Sequence, residues 1–372
     1  MEKDFNYQRI YRDLKEAILR GDFSETGKLP TEAELQNLYG VSRITLKKAM
    51  QLLKDEDLIQ RYPAKGTFVK SNLSSGSPLR SLVEKPITIG VMIPHIYSSF
   101  GSVLLAGISR QANARGCCLM AGLYYESLDE ENEIIKRLIA SGCSGIIVVP
   151  FHSNEGSNYG IVNCAMSDYP IVMADRYMEG ISLPYVGSDH ERASFCAMEH
   201  LFDLGHKNIG LVSSAPTTTA IIDRERGYLR GYAMTPYRVD PNALISDIRS
   251  SMPGRYSQEN FELDVARMKE YFKANPSCTA LLCIDYNIMR ICETAAQELG
   301  MRIPEDLSLV CFDTPDDKFI QSKYTHIRQR ENEIGKVAVD MLIDAIEGNA
   351  SNERVTVPSD LIIGSSTAMP RK

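Results

Sequence analysis

The chain has 372 residues, with 41 Lys and Arg against 48 Asp and Glu, and 44% of its residues are hydrophobic. This length suffices for two or three domains, and the composition is that of a soluble globular protein. No stretch reaches the length of a membrane span, and the charged amino terminus lacks the apolar core of a signal peptide, so we expect a cytoplasmic protein. The nine cysteines include no C-x-x-C pair, which favours reduced core thiols. We therefore expect neither a metal nor another cofactor.

Charge is unevenly distributed along the chain. Residues 1–70 hold 13 Lys and Arg against 11 Asp and Glu, a net charge of +2, whereas the other 302 residues carry −9. A small basic segment joined to an acidic remainder indicates two partners of different chemistry.

The first 55 residues have the pattern of three short helices. An amphipathic repeat predicts the first, ending at Gly21. Thr31, in a capping-box pattern, precedes a second helix over about 32–39, and Ser42 precedes a third over about 43–54. The third helix displays long cationic side chains on a face away from its apolar stripe, so the segment is predicted to be a helix-turn-helix.

The next segment, LIQRYPAKGTFVKS, predicts a strand, a tight turn and a second strand, which places a wing beside the helices. Residues 7–70 resemble the winged-helix head of the GntR family through KLPTEAELQNLYGVSRITLKKAMQLL followed by AKGTFV. The resemblance implies DNA binding by Ser42, Arg43, Thr45, Lys47, Lys65 and Gly66. Arg43 can contact guanine through two hydrogen bonds, whereas lysines and hydroxyls mostly anchor phosphate.

Beyond a linker rich in Ser, Gly and Pro, apolar runs such as ITIGVMIP, GIIVVP and TALLCID alternate with helical patterns in two successive series. Strands that are apolar on both faces and alternate with helices predict an α/β fold of doubly wound parallel sheets. Two series predict two lobes, with a ligand cleft at the carboxyl ends of their strands. The expected divisions are a head over 1–70, a linker over 71–86 and a body over 87–372, whose lobes cover roughly 87–187 and 188–310, with the C-terminal segment crossing between them.

The body resembles the periplasmic-binding-protein-like sensor domain of the LacI/GalR repressors. Stretches that carry the resemblance include PIVMADRY, VGSDHERASFCAMEHLFDLGHKNIGLVS and CIDYNIMRICETAAQELGMRIPEDLSLVCFDT. It implies that Arg224 and Asp285 hold the hydroxyls of a small sugar by charge-assisted hydrogen bonds, with Arg226 as an alternative to Arg224. Further candidates at strand ends are Tyr97, Ser98, Phe100, Tyr124, Phe151, His152, Asp175 and Arg176. For each aromatic residue among them, packing within a lobe is the alternative role.

A GntR-type head on a LacI-type body is the architecture of the arabinose repressor group. It implies a homodimeric transcriptional repressor that binds pseudo-palindromic operator DNA and is released by a sugar, with arabinose as the first candidate. An activator of the same architecture is the alternative. An enzyme is disfavoured, because no G-x-S-x-G or H-E-x-x-H motif occurs and His200 and His206 match a recurring helix-end turn of the sensor family. A transport binding protein would not carry a winged helix, and a DNA-bending protein would not need a two-lobed cleft.

Overall fold

The computed structural model describes residues 6–20, 22–23, 27–56, 58–62, 65–69, 86–94, 99–124, 127–151, 158–252, 254–315, 323–349 and 351–371. The chain divides into two compact units, Met1–Pro86 and Ile87–Lys372, which we call the head and the body. Of the predicted linker, the described residues include its last position alone.

The head is a winged helix-turn-helix, which confirms the prediction. Its helices are α1 (Asn6–Arg20), α2 (Glu32–Tyr39) and α3 (Arg43–Asp55), and its wing is the antiparallel pair β1 (Ile59–Tyr62) and β2 (Gly66–Val69). Apolar side chains from all three helices and the wing form one core, which includes Ile10, Leu14, Leu35, Leu46 and Leu53.

Local signals in the sequence determine where the helices of the head begin and end. The side chains and backbones of Thr31 and Glu34 form the predicted capping box at the start of α2. Gly40 ends α2 with a φ of 62°, a left-handed conformation that favours glycine. The Ser42 side chain then accepts the Thr45 N–H at the start of α3. These caps define the turn between the two helices and so the orientation of α3.

The body alternates strands and helices throughout. In chain order its elements are β3 (Thr88–Ile93), α4 (Ser99–Ala114), β4 (Cys118–Leu123), α5 (Leu128–Ala140), β5 (Gly145–Val148), α6 (Tyr159–Met166), β6 (Ile171–Ala174), β7 (Tyr185–Ser188), α7 (His190–Asp203), β8 (Ile209–Ser214), α8 (Thr219–Ala233), β9 (Leu244–Ile248), α9 (Gln258–Ala274), β10 (Ala280–Cys283), α10 (Tyr286–Glu298), β11 (Ser308–Phe312), β12 (Thr325–Arg328), α11 (Glu331–Ile346), β13 (Arg354–Val357) and β14 (Asp360–Ile362). The alternation predicted from the sequence did not include β7, β9, α9, β12, α11, β13 or β14.

These elements form two lobes, each around a six-stranded sheet. The strand order is β13-β7-β6-β5-β3-β4 in lobe 1 and β14-β12-β11-β10-β8-β9 in lobe 2. All strands are parallel except β14, which runs antiparallel to β12. The central strands β5, β6, β10 and β11 are buried on both faces, as the continuous apolar runs predict. The two doubly wound lobes are thus confirmed.

The C-terminal segment passes from lobe 2 to lobe 1 and back. After β12 in lobe 2, α11 packs beside α4 on one face of the lobe 1 sheet, and β13 joins that sheet before β14 returns to lobe 2. The two helices approach closely at Gly107 and Gly335, where an added Cβ would lie 2.8 Å from the Asn332 backbone and 2.7 Å from the Ile108 nitrogen. Neither glycine can therefore be replaced without moving α11 away from α4.

Candidate functional site

Long side chains of α3 are exposed on the face of the head that does not pack on its core. Arg43 and Lys47 lie one turn apart, and Ile44 is 75% exposed beside them. Glu32 lies 3.8 Å from the Arg43 Nε and 2.9 Å from the Nη1 of Arg61 on β1, so one carboxylate joins α3 to the wing. Sequence analysis missed Glu32 and Arg61, because the folding of the chain brings them beside Arg43, and it also missed the exposed Ile44.

The other predicted DNA-binding residues have clear local roles. Ser42 Oγ accepts the Thr45 N–H at 3.3 Å and lies 2.9 Å from Thr45 Oγ1, so both hydroxyls stabilise the start of α3. Gly66 has a φ of 119°, and a Cβ there would lie 2.9 Å from Lys28 Cε. Lys65 is exposed next to this glycine. The wing therefore presents the Lys65 cation immediately before a position where its backbone requires glycine.

In the body, three carboxylates follow the carboxyl ends of sheet strands. Asp175 follows β6 in lobe 1, whereas Asp285 and Asp313 follow β10 and β11 in lobe 2. Asp175 and Asp313 have positive φ values of 62° and 56°, which are uncommon for residues other than glycine. Backbone strain of this kind is concentrated at functional sites, where it directs a side chain.

Arg224, near the start of α8, is buried between these carboxylates. Its Nε donates to His190 Nδ1 at 3.2 Å, and its Nη1 donates to the Ile284 carbonyl at 2.6 Å. The guanidinium stacks 4.0 Å from the centre of the Phe312 ring. Burial lowers the pKa of Arg224, and the surrounding carboxylates partly oppose this effect. The cation is thus fixed on three sides.

The two lobe 2 carboxylates differ in their hydrogen bonding. Asp285 caps α10 by accepting the Ile288 N–H at 2.7 Å, and burial raises its pKa to about 6. Asp313 Oδ2 accepts from Gln329 Nε2 at 2.9 Å, and Gln329 Oε1 accepts from Ser188 Oγ at 2.7 Å. Asp313 Oδ1 is buried without a hydrogen-bond partner among the described residues. Asp313 was missed from the sequence, although it follows a strand just as Asp285 does.

Two further buried donors lie beside Asp175. Arg176 Nε is 3.4 Å from Asp175 Oδ2, and His190 Nε2 is 3.7 Å from Asp175 Oδ1. Neither nitrogen has a hydrogen-bond partner within the described part of the chain. Burial alone would raise the pKa of Asp175, but His190, Arg176 and Arg224 outweigh it and the pKa is lowered. Together with Asp313 Oδ1, two donors and one acceptor are therefore buried here without hydrogen-bond partners among the described residues.

Some of the other predicted effector-binding residues pack inside lobe 1, and three lie outside the described residues. Tyr124 is fully buried, and its hydroxyl donates to the Val149 carbonyl. Its ring packs edge-to-face with the Phe151 ring, with 5.9 Å between the ring centres. Phe100 packs on the core of lobe 1. These contacts favour the packing role for Tyr124 and Phe100. The candidates outside the described residues are Tyr97, Ser98 and His152.

A second set of contacts joins the lobes beside the cleft. The Tyr177 N–H donates to Thr219 Oγ1 at 3.1 Å, and the Tyr177 hydroxyl donates to Asp223 Oδ2 at 3.1 Å. Thr219 Oγ1 also donates to the Tyr177 carbonyl at 3.1 Å. Arg226 lies 2.8 Å from Asp223 and 3.9 Å from Glu179, and about half of its side chain is exposed. Of the two arginines that the sequence left open, Arg224 therefore lies among the cleft carboxylates and Arg226 lies beside the Tyr177 contact.

Two histidines of the body, His200 and His206, have structural roles. His206 bonds to Thr279, Ser308 and the Ala368 carbonyl, and His200 bonds to Thr367, so both hold the C-terminal segment against lobe 2. Across the described ranges, no group of three His, Cys, Asp or Glu side chains could hold a metal ion. None of the helices described is long and apolar enough to cross a membrane.

Both the head and the body match families of known proteins. Residues 6–69 match the family model of bacterial regulatory proteins of the gntR family, and residues 198–367 match that of the periplasmic binding protein-like domain. The chain is 27% identical to the arabinose metabolism transcriptional repressor of Geobacillus stearothermophilus, over 97% of each chain. It is 26% identical to the HTH-type transcriptional repressor CytR of Escherichia coli K12, over 76% of this chain and 80% of the relative.

Solved structures agree with the fold of the body. The Lac repressor dimer bound to operator and the anti-inducer ONPF superposes with a TM-score of 0.65 at 19% identity, over 78% of this chain and 98% of that one. The transcription regulator CcpA of Lactococcus lactis has the same TM-score at 17% identity, over 76% of this chain and 100% of that one. The head therefore resembles bacterial regulatory proteins of the gntR family, and the body has the fold of a periplasmic binding protein-like domain.

Proposed function

We propose that the protein is a transcriptional repressor of sugar-utilisation genes, which binds operator DNA through its head and is released when a small sugar binds in the cleft of its body. The observation that carries this proposal is the match, over 97% of both chains, with a relative named as an arabinose metabolism repressor. The order of head and body is thus the same in both proteins. Such a repressor acts in the cytoplasm and performs no catalytic step.

The buried polar atoms of the cleft support a ligand rich in hydroxyl groups. Arg176 Nε and His190 Nε2 are donors and Asp313 Oδ1 is an acceptor, all without partners among the residues described. Leaving such a group unsatisfied costs about 1–3 kcal/mol. A hydroxyl both donates and accepts, so a sugar can satisfy all three atoms. Arg224 and Asp313 are the residues that we expect to hold it, with Asp285 keeping α10 in place behind them.

The body is also proposed to form a homodimer, so that two heads bind the halves of a pseudo-palindromic operator. The Lac repressor, which shares the fold of the body, is a dimer on its operator.

The proposal is tested by the binding of the purified protein to the DNA upstream of its own gene and neighbouring genes. We expect specific binding at physiological salt, and release by L-arabinose or another sugar from a panel of free pentoses and hexoses. Arg43→Ala should cost about 1–3 kcal/mol of operator affinity, and Lys65→Ala should lower the slope of log affinity against log salt by about one. Arg192→Ala removes a cation from the body instead and serves as the control. An operator affinity that is the same with and without every sugar of the panel would contradict the proposal.

A further inference from the structure

His190 is the first residue of α7 and lies where the two lobes meet. Its side chain is buried, with the Arg224 guanidinium of α8 on one side and the Asp175 carboxylate of lobe 1 on the other. Because Arg224 Nε is always a donor, the 3.2 Å hydrogen bond requires His190 Nδ1 to be the acceptor. The ring proton of a neutral imidazole must then be on Nε2. Burial and Arg224 lower the pKa of His190, which keeps the ring neutral.

The Nε2–H of this tautomer faces Asp175 but does not reach it. The 3.7 Å between His190 Nε2 and Asp175 Oδ1 is too long for a hydrogen bond, and Nε2 has no other partner among the described residues. This distance is also shorter than the summed length of two hydrogen bonds that share one oxygen. One oxygen placed beside this gap can therefore lie about 2.8 Å from both atoms.

The chemistry of the gap limits what that oxygen can be. It must accept a hydrogen bond from His190 Nε2–H and, at the same time, donate one to the Asp175 carboxylate. A hydroxyl does both, whereas a carboxylate or phosphate oxygen has no proton to donate and would be repelled by Asp175. Asp313 and Asp285 add further negative charge to the same cleft.

We propose that His190 is a specificity-determining residue of the body: its Nε2–H and Asp175 together take one hydroxyl of a neutral ligand, while its Nδ1 holds Arg224 in position. The bound hydroxyl completes a hydrogen-bonded chain from Asp175 in lobe 1 through His190 to Arg224 in lobe 2. This inference rests on the proposed function, since it assumes that the cleft binds a hydroxyl-bearing effector. It adds that the effector is uncharged at this hydroxyl.

Two substitutions separate the two nitrogens of His190. In His190→Asn the amide oxygen can stand at the position of Nδ1 and accept from Arg224, but no donor remains at the position of Nε2. In His190→Gln the longer side chain can place a donor near Nε2, but it leaves Arg224 without its acceptor. His200→Asn removes a histidine whose hydrogen bond goes to Thr367, away from the cleft, and is the control.

The probes are L-arabinose, D-ribose and D-galactose, each with its monodeoxy derivatives, measured by calorimetry on the full chain. For the sugar that binds, we expect one deoxy derivative to bind the wild type at least about 10-fold more weakly. His190→Asn should weaken binding of the parent sugar to a similar degree. This variant should bind the deoxy derivative no more weakly than the parent sugar, because the substitution and the missing hydroxyl remove the same hydrogen bond. His190→Gln should weaken both ligands but keep the difference between them. His200→Asn should bind as the wild type does.

A ligand-free measurement gives a second readout. In protein labelled with ¹⁵N-histidine, the His190 signal, assigned from its absence in His190→Asn, should show the Nε2–H tautomer near pH 7. A protonated ring or the Nδ1–H tautomer would overturn the proposal, as would His190→Asn retaining the wild-type preference for the parent sugar. If the wild type binds none of the sugars, the proposed sugar effector fails, whatever the tautomer.

Discussion

Glu131 shows how burial changes the behaviour of a single carboxylate. It is fully buried on α5, where Oε2 accepts the Phe151 N–H at 2.6 Å and Oε1 accepts from Asn158 Nδ2 at 2.6 Å. These bonds lower its pKa, but burial is the larger effect and raises the pKa from 4.5 to about 7. The folded protein therefore retains a proton that the unfolded chain releases between these two values.

The stabilising contribution of Glu131 is accordingly complete below about pH 4.5 and lost as the pH rises through about 7. Its size is at most about 3.5 kcal/mol, since one pKa unit corresponds to about 1.4 kcal/mol. We expect Glu131→Gln to flatten the decline in the free energy of unfolding between pH 5 and 8, measured by urea denaturation. Glu133→Gln, on the exposed face of the same helix, should leave the decline as it is in the wild type. An unchanged decline in Glu131→Gln would contradict this prediction.

At the same scale, Arg224 and Arg226 form a matched pair of cations two positions apart on α8. Arg224 is buried among the cleft carboxylates, whereas Arg226 is half exposed beside Asp223. We expect Arg224→Ala to retain operator affinity and to lose the response to sugar, because a buried charged hydrogen-bond donor is removed from the cleft. Arg226→Ala should keep both properties. The measurement is operator binding with and without sugar, and the reverse pattern would assign the cleft to Arg226.

At the scale of elements, α8 carries two functions on different sides. Arg224 faces the cleft, and Thr219 and Asp223 hold the Tyr177 segment of lobe 1. Tyr177→Phe removes one hydrogen bond between the lobes and leaves the cleft side chains in place. Such a bond contributes about 0.5–1.5 kcal/mol, so the open arrangement of the lobes should gain population.

We therefore expect faster amide hydrogen exchange in the first turns of α8 and around Tyr177 in the Tyr177→Phe variant, without sugar. Tyr169→Phe removes a comparable hydroxyl within lobe 1, where it donates to the Cys143 carbonyl at 2.6 Å, and should not change exchange in α8. Equal exchange in Tyr177→Phe and the wild type would show that this contact does not hold the lobes together.

The elements were more predictable from sequence than the contacts between them. Continuous apolar runs, caps and glycine stops identified the head, four strands of the lobe 1 sheet and three strands of the lobe 2 sheet, because these signals are local. Helical spacing is also present in α9, in Phe261, Val265, Met268 and Phe272, but the predicted alternation of strands and helices does not include this segment. His190 and the Tyr177–Asp223 pair could not be found, since periodicity defines an element and does not say which strand ends and helix starts meet across a cleft.

For the whole molecule, the proposed function predicts reciprocal coupling between sugar and operator. A ligand that contacts both lobes favours the closed arrangement by the difference in its affinity for the two states. A coupling free energy of about 1–3 kcal/mol would weaken operator binding about 5- to 150-fold, and operator must weaken sugar binding by the same factor. The test is a calorimetric sugar titration with and without saturating operator duplex, with a scrambled duplex as the control. Equal sugar affinity in all three titrations would contradict the repressor–inducer mechanism.

The crossing of the C-terminal segment has a consequence for synthesis of the chain on the ribosome. When residues 88–330 have been made, lobe 1 still lacks α11, which covers one face of its sheet, and β13, its outermost strand beside β7. Lobe 1 begins first but is completed only after the parallel strands of lobe 2 exist. Between the synthesis of β7 and that of α11, a nascent chain therefore carries an apolar sheet face that α4 covers only in part, a state that is prone to aggregation. Chains terminated before residue 357 should accordingly be substrates for chaperones and proteases, even though every residue of the head is present.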